Sequence, residues 1–213
     1  MFYGAKNGEI LMRKRLAQLF CLLSAPVGII VLLGGCLFGF SEKPYVAVKY
    51  YDLANPPRIQ LTRNQVKVLA FDSTEPAKYK MIYQGKNNEM ILDDYNKWIQ
   101  PPSLLLTRYL QSAFTQSGNP PRDSVLLVSG NVFMFKIDLQ ANTVSLGVNY
   151  VIKGTPDNIL KPISRSSVIF TSKFEKQGPV YFVKAMSECA GQLASALEKD
   201  IKSIKPNEIK AGK

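Results

Sequence analysis

The strongest pattern in this chain is the alternation of apolar and polar residues in its second half. It predicts two long β-strands over residues 124–139 and 143–153. Successive side chains of a strand point to opposite faces, so the second strand has one apolar face and one mixed face. This pattern is typical of a sheet that is covered on one side. The apolar set is Val144, Leu146, Val148, Tyr150 and Ile152, and the mixed set is Ser145, Gly147, Asn149 and Val151.

The first of the two strands divides in the same way around its middle. Strict alternation places Val132 and Met134 on one face and Phe135 on the other. The full sets are Val132, Met134, Lys136 and Asp138 against Phe133, Phe135 and Ile137. Here too one side of the sheet is expected to be buried.

Shorter runs rich in Val, Ile and Tyr predict further strands in the remaining parts of the chain. Each run ends near Pro, Gly or Asn, the residues that favour turns. The third and fourth runs are separated by a five-residue turn, as in a hairpin. The predicted strands cover residues 45–53, 65–71, 79–83, 89–92 and 166–174.

Two helices are predicted from apolar residues that recur at helical spacing. The first begins after Pro101 and Pro102, because proline is tolerated in a first turn whose amides lack partners, and continues through Gln116. The second begins at Gly178 and Pro179. The first apolar stripe is Leu104, Leu105, Tyr109, Leu110, Ala113 and Phe114, and the second is Phe182, Met186, Cys189, Leu193, Ala196 and Leu197.

The order of strands, helix, strands and helix predicts an α+β fold. We expect one mainly antiparallel sheet with both helices packed on one of its faces. Residues 45–205 are long enough to form a single domain with its own apolar core. Residues 206–213 are short and polar and are expected to be a disordered tail.

The N-terminal region has the layout of a secretory signal. A basic cluster at residues 13–15 precedes an uncharged run over residues 16–40. Inside this run lies the sequence Leu33-Gly34-Gly35-Cys36. It resembles a bacterial lipobox, in which the signal is cut before the cysteine and the cysteine sulfur carries a diacylglycerol.

This layout makes residues 1–35 an expected signal peptide and Cys36 the expected site of lipidation. Residues 36–44 would then tether the folded domain to a membrane. Leu37 follows the cysteine where an Asp would retain the protein at the inner membrane in enterobacteria-like sorting, which favours the outer membrane. Met12 is an alternative start that gives a compact basic segment before the apolar run.

A permanent transmembrane helix is the competing interpretation of the same run. Residues 16–40 are long enough to cross about 30 Å of hydrocarbon at about 1.5 Å per residue. Four glycines and Pro26 make this segment a poor continuous helix, which favours the signal.

The chain is basic, with 27 Lys and Arg, 16 Asp and Glu, and a net charge of +11. Residues 1–35 carry four basic residues and one acidic residue, so the expected mature protein has a net charge of +8. A basic surface suits anionic partners such as lipids or an acidic protein face. Export would exclude nucleic acid as a partner, and a solvated basic surface without a partner is the simpler interpretation.

Candidate catalytic chemistry is sparse. The chain has no histidine, which removes the commonest general base and zinc ligand. Asp93 and Asp94 form an adjacent acidic pair, but a metal or acid-base site needs further converging groups. Cys189 lies on the second predicted helix among apolar and small residues, where a buried structural cysteine is expected. We therefore expect no enzyme, no catalytic residue, no metal site and no cofactor.

The segment from Tyr95 to Pro102 contains Trp98, the tryptophan of the chain. In one interpretation Tyr95 and Trp98 pack the entrance of the first helix, marked by Pro101 and Pro102, against the sheet. In the other they form part of a surface that faces a partner, since Trp and Tyr dominate binding hot spots. The two roles are compatible.

The order of elements and the residues of several short segments resemble the ABC-type transport auxiliary lipoproteins, whose best known branch is the paraquat-inducible protein C type. The similarity extends over nearly all of the expected mature chain. Family members often carry an Arg where this chain has Tyr83 and Lys86, which leaves the branch open. The matching segments are Tyr50-Tyr51-Asp52-Leu53, Lys80-Met81-Ile82-Tyr83, Glu89-Met90 and Tyr95-Asn96-Lys97-Trp98 with Pro101 and Pro102.

The resemblance implies a non-enzymatic accessory subunit of an MCE-type ABC transporter, which carries lipids between the inner and outer membranes. The expected partner is the MCE-domain periplasmic protein, and the membrane is contacted through the lipid on Cys36. Because MCE tubes are symmetric rings, a homo-oligomer around such a ring is also expected. An outer-membrane assembly or structural lipoprotein is the alternative. A protein that itself carries lipid would need an apolar cavity between helices and sheet.

Overall fold

The computed structural model describes residues 45–61, 65–74, 78–115, 125–154 and 161–204. The chain divides into two compact units, Met1–Val46 and Ala47–Lys213. In the first unit the description covers only Tyr45 and Val46, both exposed. The expected signal peptide, lipobox, Cys36, tether and C-terminal tail lie outside the described residues.

The described part of the second unit contains eight strands and two α-helices, so the fold is α+β as predicted. A short 3-10 turn at Lys86–Asn88 links the fourth and fifth strands. The strands are β1 (Lys49–Tyr51), β2 (Gln65–Val68), β3 (Asp72–Ser73), β4 (Lys80–Gln84), β5 (Met90–Trp98), β6 (Val125–Asp138), β7 (Thr143–Gly154) and β8 (Lys161–Lys173). The helices are α1 (Pro102–Ala113) and α2 (Pro179–Ser203).

The sheet is mixed, so the prediction of a mainly antiparallel sheet is wrong. Its main path runs β1-β5-β4-β6-β7-β8, with β2 and β3 paired to β6 beside this path. The pairs β4·β5, β6·β7 and β7·β8 are antiparallel, whereas β1·β5, β2·β6, β3·β6 and β4·β6 are parallel. Parallel pairing joins strands that are far apart in the chain, and local alternation carries no information about such pairs.

The length of β6 explains how so many parallel pairs form. It has 14 residues, which extend over about 45 Å at about 3.3 Å per residue. Along one edge it pairs in turn with β2, β3 and β4, and its other edge pairs with β7. One long strand therefore collects three short strands into the same sheet.

A bulge in β6 changes which residues face the core. Val132 pairs with Val148 and Met134 pairs with Gly147, so Phe133 is the extra residue. A bulge shifts the alternation by one position. Val132 and Phe135 are both buried, which corrects the prediction that they lie on opposite faces.

Both helices pack on one face of the sheet, as predicted. From α1, the Thr107 Oγ1 accepts a hydrogen bond of 2.9 Å from the backbone N–H of Phe71. From α2, Asp200 Oδ2 accepts a hydrogen bond of 2.8 Å from the hydroxyl of Tyr150 on β7. Buried side chains of both helices and of this sheet face form one apolar cluster.

The boundaries and one stripe position differ from the predictions. The first strand is shorter than residues 45–53, and β5 extends to Trp98 because β1 pairs with its end. Helix α1 ends at Ala113, where the N–H of Phe114 still bonds to the Leu110 carbonyl. Leu104, predicted on the buried stripe, is 45% exposed, because α1 turns its neighbour Leu105 inward.

Candidate docking surface

The end of the sheet formed by β1, β5 and β4 presents apolar and basic side chains on the face that the helices leave uncovered. Tyr50 lies opposite Lys97, and Lys97 lies opposite Lys80. Residues paired across neighbouring strands project from the same face. Tyr51 and Trp98, the next residues on their strands, contribute to the core on the other face. Tyr50, Lys80 and Lys97 therefore project away from the helices.

These side chains surround a surface groove of about 460 Å³. We call it the outer groove. Four of its lining residues are aromatic or aliphatic and three are lysines. They are Tyr50, Lys78, Tyr79, Lys80, Leu92, Lys97 and Ile99.

The outer groove carries a net positive charge. Lys80 forms an ion pair of 2.5 Å with Asp94, which neutralises one of the three cations. Within the described ranges, Lys78 and Lys97 have no ion pair of their own. Two cations therefore remain beside the exposed apolar residues of the groove.

The hairpin of β4 and β5 adds a second exposed region, which we call the hairpin edge (residues 90–95). Strand β1 pairs only with residues from Asn96 to Trp98, so the outer edge of the earlier part of β5 has no strand partner in the part of the chain that is described. Met90 and Ile91 are exposed there. An open edge with apolar side chains is a template for the addition of a strand from another protein.

The hairpin edge ends in a pronounced bulge of β5. Ile82 pairs with Leu92, but Lys80 pairs with Lys97, so β5 inserts several residues between these pairs. The side chain of Asp93 holds the bulge. Its Oδ1 accepts hydrogen bonds from the N–H groups of Tyr95 and Asn96 at 2.8 and 2.9 Å. Its Oδ2 accepts bonds from the Asn96 amide at 2.8 Å and the Tyr83 hydroxyl at 2.6 Å.

The Asp93 network connects the hairpin edge to the rest of the domain. The Tyr51 hydroxyl donates a hydrogen bond of 3.3 Å to the Asn96 Oδ1, and this bond connects β1 to the network. The ring of Tyr83 packs edge to face against Phe182 of α2 at 5.7 Å between centroids. The bulge is thus supported from two neighbouring strands and one helix.

This geometry sets the protonation states of Tyr83 and Asp93. Burial, with a further contribution from the adjacent Asp93 carboxylate, raises the pKa of Tyr83 far above its ordinary value, so this hydroxyl stays a donor. Partial burial alone would raise the pKa of Asp93, but the hydrogen bonds from Tyr83, Asn96 and Tyr95 stabilise the carboxylate and lower that pKa. Asp93 is therefore a charged acceptor at neutral pH.

The residues singled out from the sequence occupy different environments. Trp98 is 1% exposed and packs edge to face on Phe135 at 5.1 Å, so it is a core residue. Tyr95 is 51% exposed on the bulge of β5. The carbonyl of Pro101 accepts the first helical bond from Leu105, and Pro102 is buried as the first residue of α1. Trp98 thus anchors the strand end, while Tyr95 is displayed.

Sequence reasoning missed the outer groove. Its residues lie on β1, at and just before the start of β4, and on and just after β5. The parallel pair β1·β5, the antiparallel pair β4·β5 and the bulge bring them together. The sequence did contain a local signal for the Asp93 network. Asp93 precedes Tyr95 by two residues and Asn96 by three, a spacing typical of an Asx turn, in which the carboxylate accepts hydrogen bonds from the following backbone N–H groups.

Other chemistry is limited in the described ranges. They contain no group of three or more His, Cys, Asp or Glu placed to hold a metal, and no helix apolar and long enough to cross a membrane. Cys189 is fully buried against the Val144 carbonyl. Burial, with a smaller contribution from Glu188, raises the pKa of its thiol to about 12.

Known proteins match this chain by structure. No protein-family model matches it, and no curated protein matches it by sequence. An uncharacterized protein of known crystal structure is 15% identical with a TM-score of 0.58, covering 73% of this chain and 99% of its own. A Xanthomonas campestris protein of family DUF330 is 11% identical with a TM-score of 0.55, covering 74% and 99%.

A third solved structure is a Caulobacter crescentus protein provisionally described as a lipoprotein. It is 19% identical, covers 47% of this chain and 77% of its own, and has a TM-score of 0.32. The first two similarities show that the fold occurs in other proteins, and at these identities they show the fold alone.

Proposed function

We propose that this protein is a lipid-anchored, non-enzymatic accessory subunit of an MCE-type ABC transporter. In this proposal Cys36 carries the lipid at the periplasmic face of the outer membrane, and the domain docks the MCE-domain periplasmic protein. The lipobox-like sequence at Leu33 to Cys36 and the resemblance from Tyr79 to Leu110 support it.

The observation that carries the docking role is the hairpin edge. Its strand edge has no strand partner among the described residues, and its side chains Met90 and Ile91 are exposed. The backbone of the exposed Tyr95 is fixed by the Asp93 network. Ordering costs are low when a binding surface is held rigid before association. A partner strand placed beside β5 would satisfy the free backbone groups and cover the apolar side chains.

The lipid anchor would strengthen this interface without adding contacts. A protein confined to a membrane meets a partner at the same membrane at a high effective concentration. A small interface such as the hairpin edge is then sufficient. The diacylglycerol expected on Cys36 has two acyl chains, and two chains are enough for stable attachment to a membrane.

Among the described residues, the space between the helices and the sheet is packed with apolar side chains, which does not favour a role as a lipid carrier. Phe114, Met186 and Leu193 are buried there as parts of the apolar cluster. These side chains occupy the space that a bound acyl chain would need. We therefore place the function on the surface of the domain.

The test is a pull-down from detergent-solubilised membranes with a C-terminal tag and mass spectrometry of the captured proteins. The variants are Cys36→Ala, a hairpin-edge pair Met90→Lys with Ile91→Lys, and the control Ile169→Lys, an exposed apolar residue on the opposite sheet edge.

We expect the unaltered protein and the control to capture an MCE-domain protein. The hairpin-edge pair should lose it, and Cys36→Ala should lose membrane attachment while keeping residual capture. Recovery of a β-barrel or cell-wall protein without any MCE-domain protein would overturn the proposal and favour the outer-membrane assembly lipoprotein.

A further inference from the structure

The outer groove combines two features that the docking role does not use. It exposes Tyr50, Tyr79, Leu92 and Ile99 as an apolar and aromatic surface, and it places Lys78 and Lys97 beside them without ion pairs in the described part of the chain. A ligand that matches both features is anionic at one end and apolar at the other. Its chemical class is that of an anionic amphiphile.

The position of the groove on a sheet face narrows the class of ligand. The backbone groups of β1, β5 and β4 bond along the sheet to each other, so the face offers few backbone donors or acceptors. A bound peptide depends on such groups for its own N–H and C=O. A lipid needs only cations for its phosphate and an apolar surface for its first acyl carbons.

The aromatic composition of the groove also favours a bilayer surface. Tyrosine is enriched where membrane and water meet, because its ring is apolar and its hydroxyl is polar. Lysine extends its aliphatic stem over apolar surface while its ammonium reaches lipid phosphates. Each lysine near an anionic membrane surface contributes about a fivefold gain in binding, equivalent to about 1 kcal/mol.

The chain itself connects the groove to the expected anchor. Tyr50 follows Cys36 by 14 residues, a segment that extends at most about 50 Å at about 3.6 Å per residue. We propose that the outer groove binds the headgroup and first acyl carbons of an anionic phospholipid in the membrane that holds the anchor. The proposal relies on the proposed function only for the anchor at Cys36 and does not require the transporter.

The test uses the full-length lipidated protein, purified in detergent and reconstituted into vesicles that mix phosphatidylglycerol with phosphatidylcholine. A benzophenone amino acid replaces Tyr79 in the groove, or Val180 on the exposed start of α2 as the control position. After illumination, mass spectrometry gives the ratio of phosphatidylglycerol to phosphatidylcholine adducts. No other protein is present, so a failed transporter assignment does not affect the result.

We expect adducts at Tyr79 to be enriched in phosphatidylglycerol several-fold over the vesicle composition, with no enrichment at Val180. Lys78→Gln and Lys97→Gln should each lower the enrichment by up to about fivefold. Lys161→Gln, an exposed lysine of β8 at the other sheet edge, is the matched control and should leave it unchanged.

An adduct ratio at Tyr79 equal to the vesicle composition would overturn the proposal. So would equal enrichment at the two positions, because that pattern reports general attraction of a basic protein to anionic lipid. The same crosslinking in intact membranes tests the alternative ligand. If position 79 forms adducts with protein and none with lipid, the proposal is overturned and the ligand of the outer groove is an acidic protein.

Discussion

The two ends of the sheet are built differently. At one end, β6, β7 and β8 are long strands in nearly continuous antiparallel register, and α2 covers their inner face. At the other end, β1, β5 and β4 are short or interrupted by a bulge, combine parallel and antiparallel pairs, and are rich in exposed apolar residues. The first end supplies most of the buried apolar surface, and the second displays the candidate surfaces.

This difference shows how the domain can support an irregular edge. Burial of aliphatic and aromatic side chains stabilises a fold by about 1.5–3 kcal/mol for each large residue. The regular end contributes many such residues, so the edge need not be optimised for stability. The exposed residues Met90, Ile91 and Leu92 are then available for contacts with other molecules.

The largest expected contrast is between a core leucine and an exposed one. Leu193→Ala removes a fully buried side chain of α2 and leaves a cavity, so we expect the free energy of unfolding to fall by about 3–4 kcal/mol. Leu92→Ala at the outer groove should change it by less than about 0.5 kcal/mol. Urea denaturation followed by circular dichroism measures both. Equal losses would show that the two ends contribute alike to stability.

Two glycines test packing at the regular end. A Cβ on Gly130 of β6 would lie 2.5 Å from the Asn149 carbonyl oxygen and 2.5 Å from the Phe71 ring. Backbone cannot move aside cheaply, so Gly130→Ala should destabilise by about 2–3 kcal/mol.

Gly191→Ala is the control for this glycine. Its Cβ would meet the Tyr109 hydroxyl at an ordinary 3.5 Å inside helix α2, where Ala is the better helix former, so we expect a gain of about 0.5–1 kcal/mol. Thermal unfolding should therefore shift in opposite directions for the two variants. A shift in the same direction would contradict the packing at Gly130.

The Asp93 network tests the irregular end and has a pH dependence. The pKa of Asp93 is lower in the folded state than in the unfolded state, because hydrogen bonds in the bulge stabilise its carboxylate. Its contribution to stability is therefore present above the unfolded value of about 3.9 and is lost as pH falls through the folded value. Asp93→Asn should lower the free energy of unfolding by about 1–2 kcal/mol at pH 7, because hydrogen bonds accepted by the carboxylate are lost.

The pH profile separates the network from simple packing. Between about pH 5 and pH 2 the Asp93→Asn variant should lose less stability than the unaltered protein, since it has no carboxylate to protonate there. Tyr83→Phe, which removes one donor to Asp93, should cost about 1 kcal/mol, whereas Tyr79→Phe in the outer groove should cost almost nothing. Parallel pH profiles for Asp93→Asn and the unaltered protein would exclude the proposed role of the carboxylate.

The smallest expected effect concerns Cys189. Its thiol should resist chemical modification in the native protein, and the stability of the protein does not change in this test. It is buried, and its thiol has a pKa of about 12, so both access and thiolate are scarce at pH 8. Maleimide labelling, measured on the peptide that contains Cys189, should occur in urea and not in native buffer. The Ile169→Cys variant, at an exposed position, should label at once at residue 169. Similar labelling rates at residues 169 and 189 in native buffer would contradict the burial of Cys189.

The sequence by itself determined most of the elements of the regular end, although β8 begins at Lys161, five residues before its predicted start. Alternation predicted β6 and β7 to within a residue or two, and helical spacing with Pro179 predicted the start of α2. These signals are local, because strand and helix periods repeat every two or 3.6 residues. The same signals predicted the α+β class and the placement of the helices on one face.

Only the tertiary structure decided the parallel pairing, the bulges of β5 and β6, and the surfaces that depend on them. Parallel neighbours such as β1 and β5 are separated by more than 40 residues, and no local period specifies such a pair. The bulge at Phe133 depends on its fit over Gly147, and the bulge of β5 depends on Asp93 finding Tyr83. The outer groove exists because these long-range contacts bring Tyr50, Tyr79 and Lys97 together, and such contacts follow from packing of the whole chain.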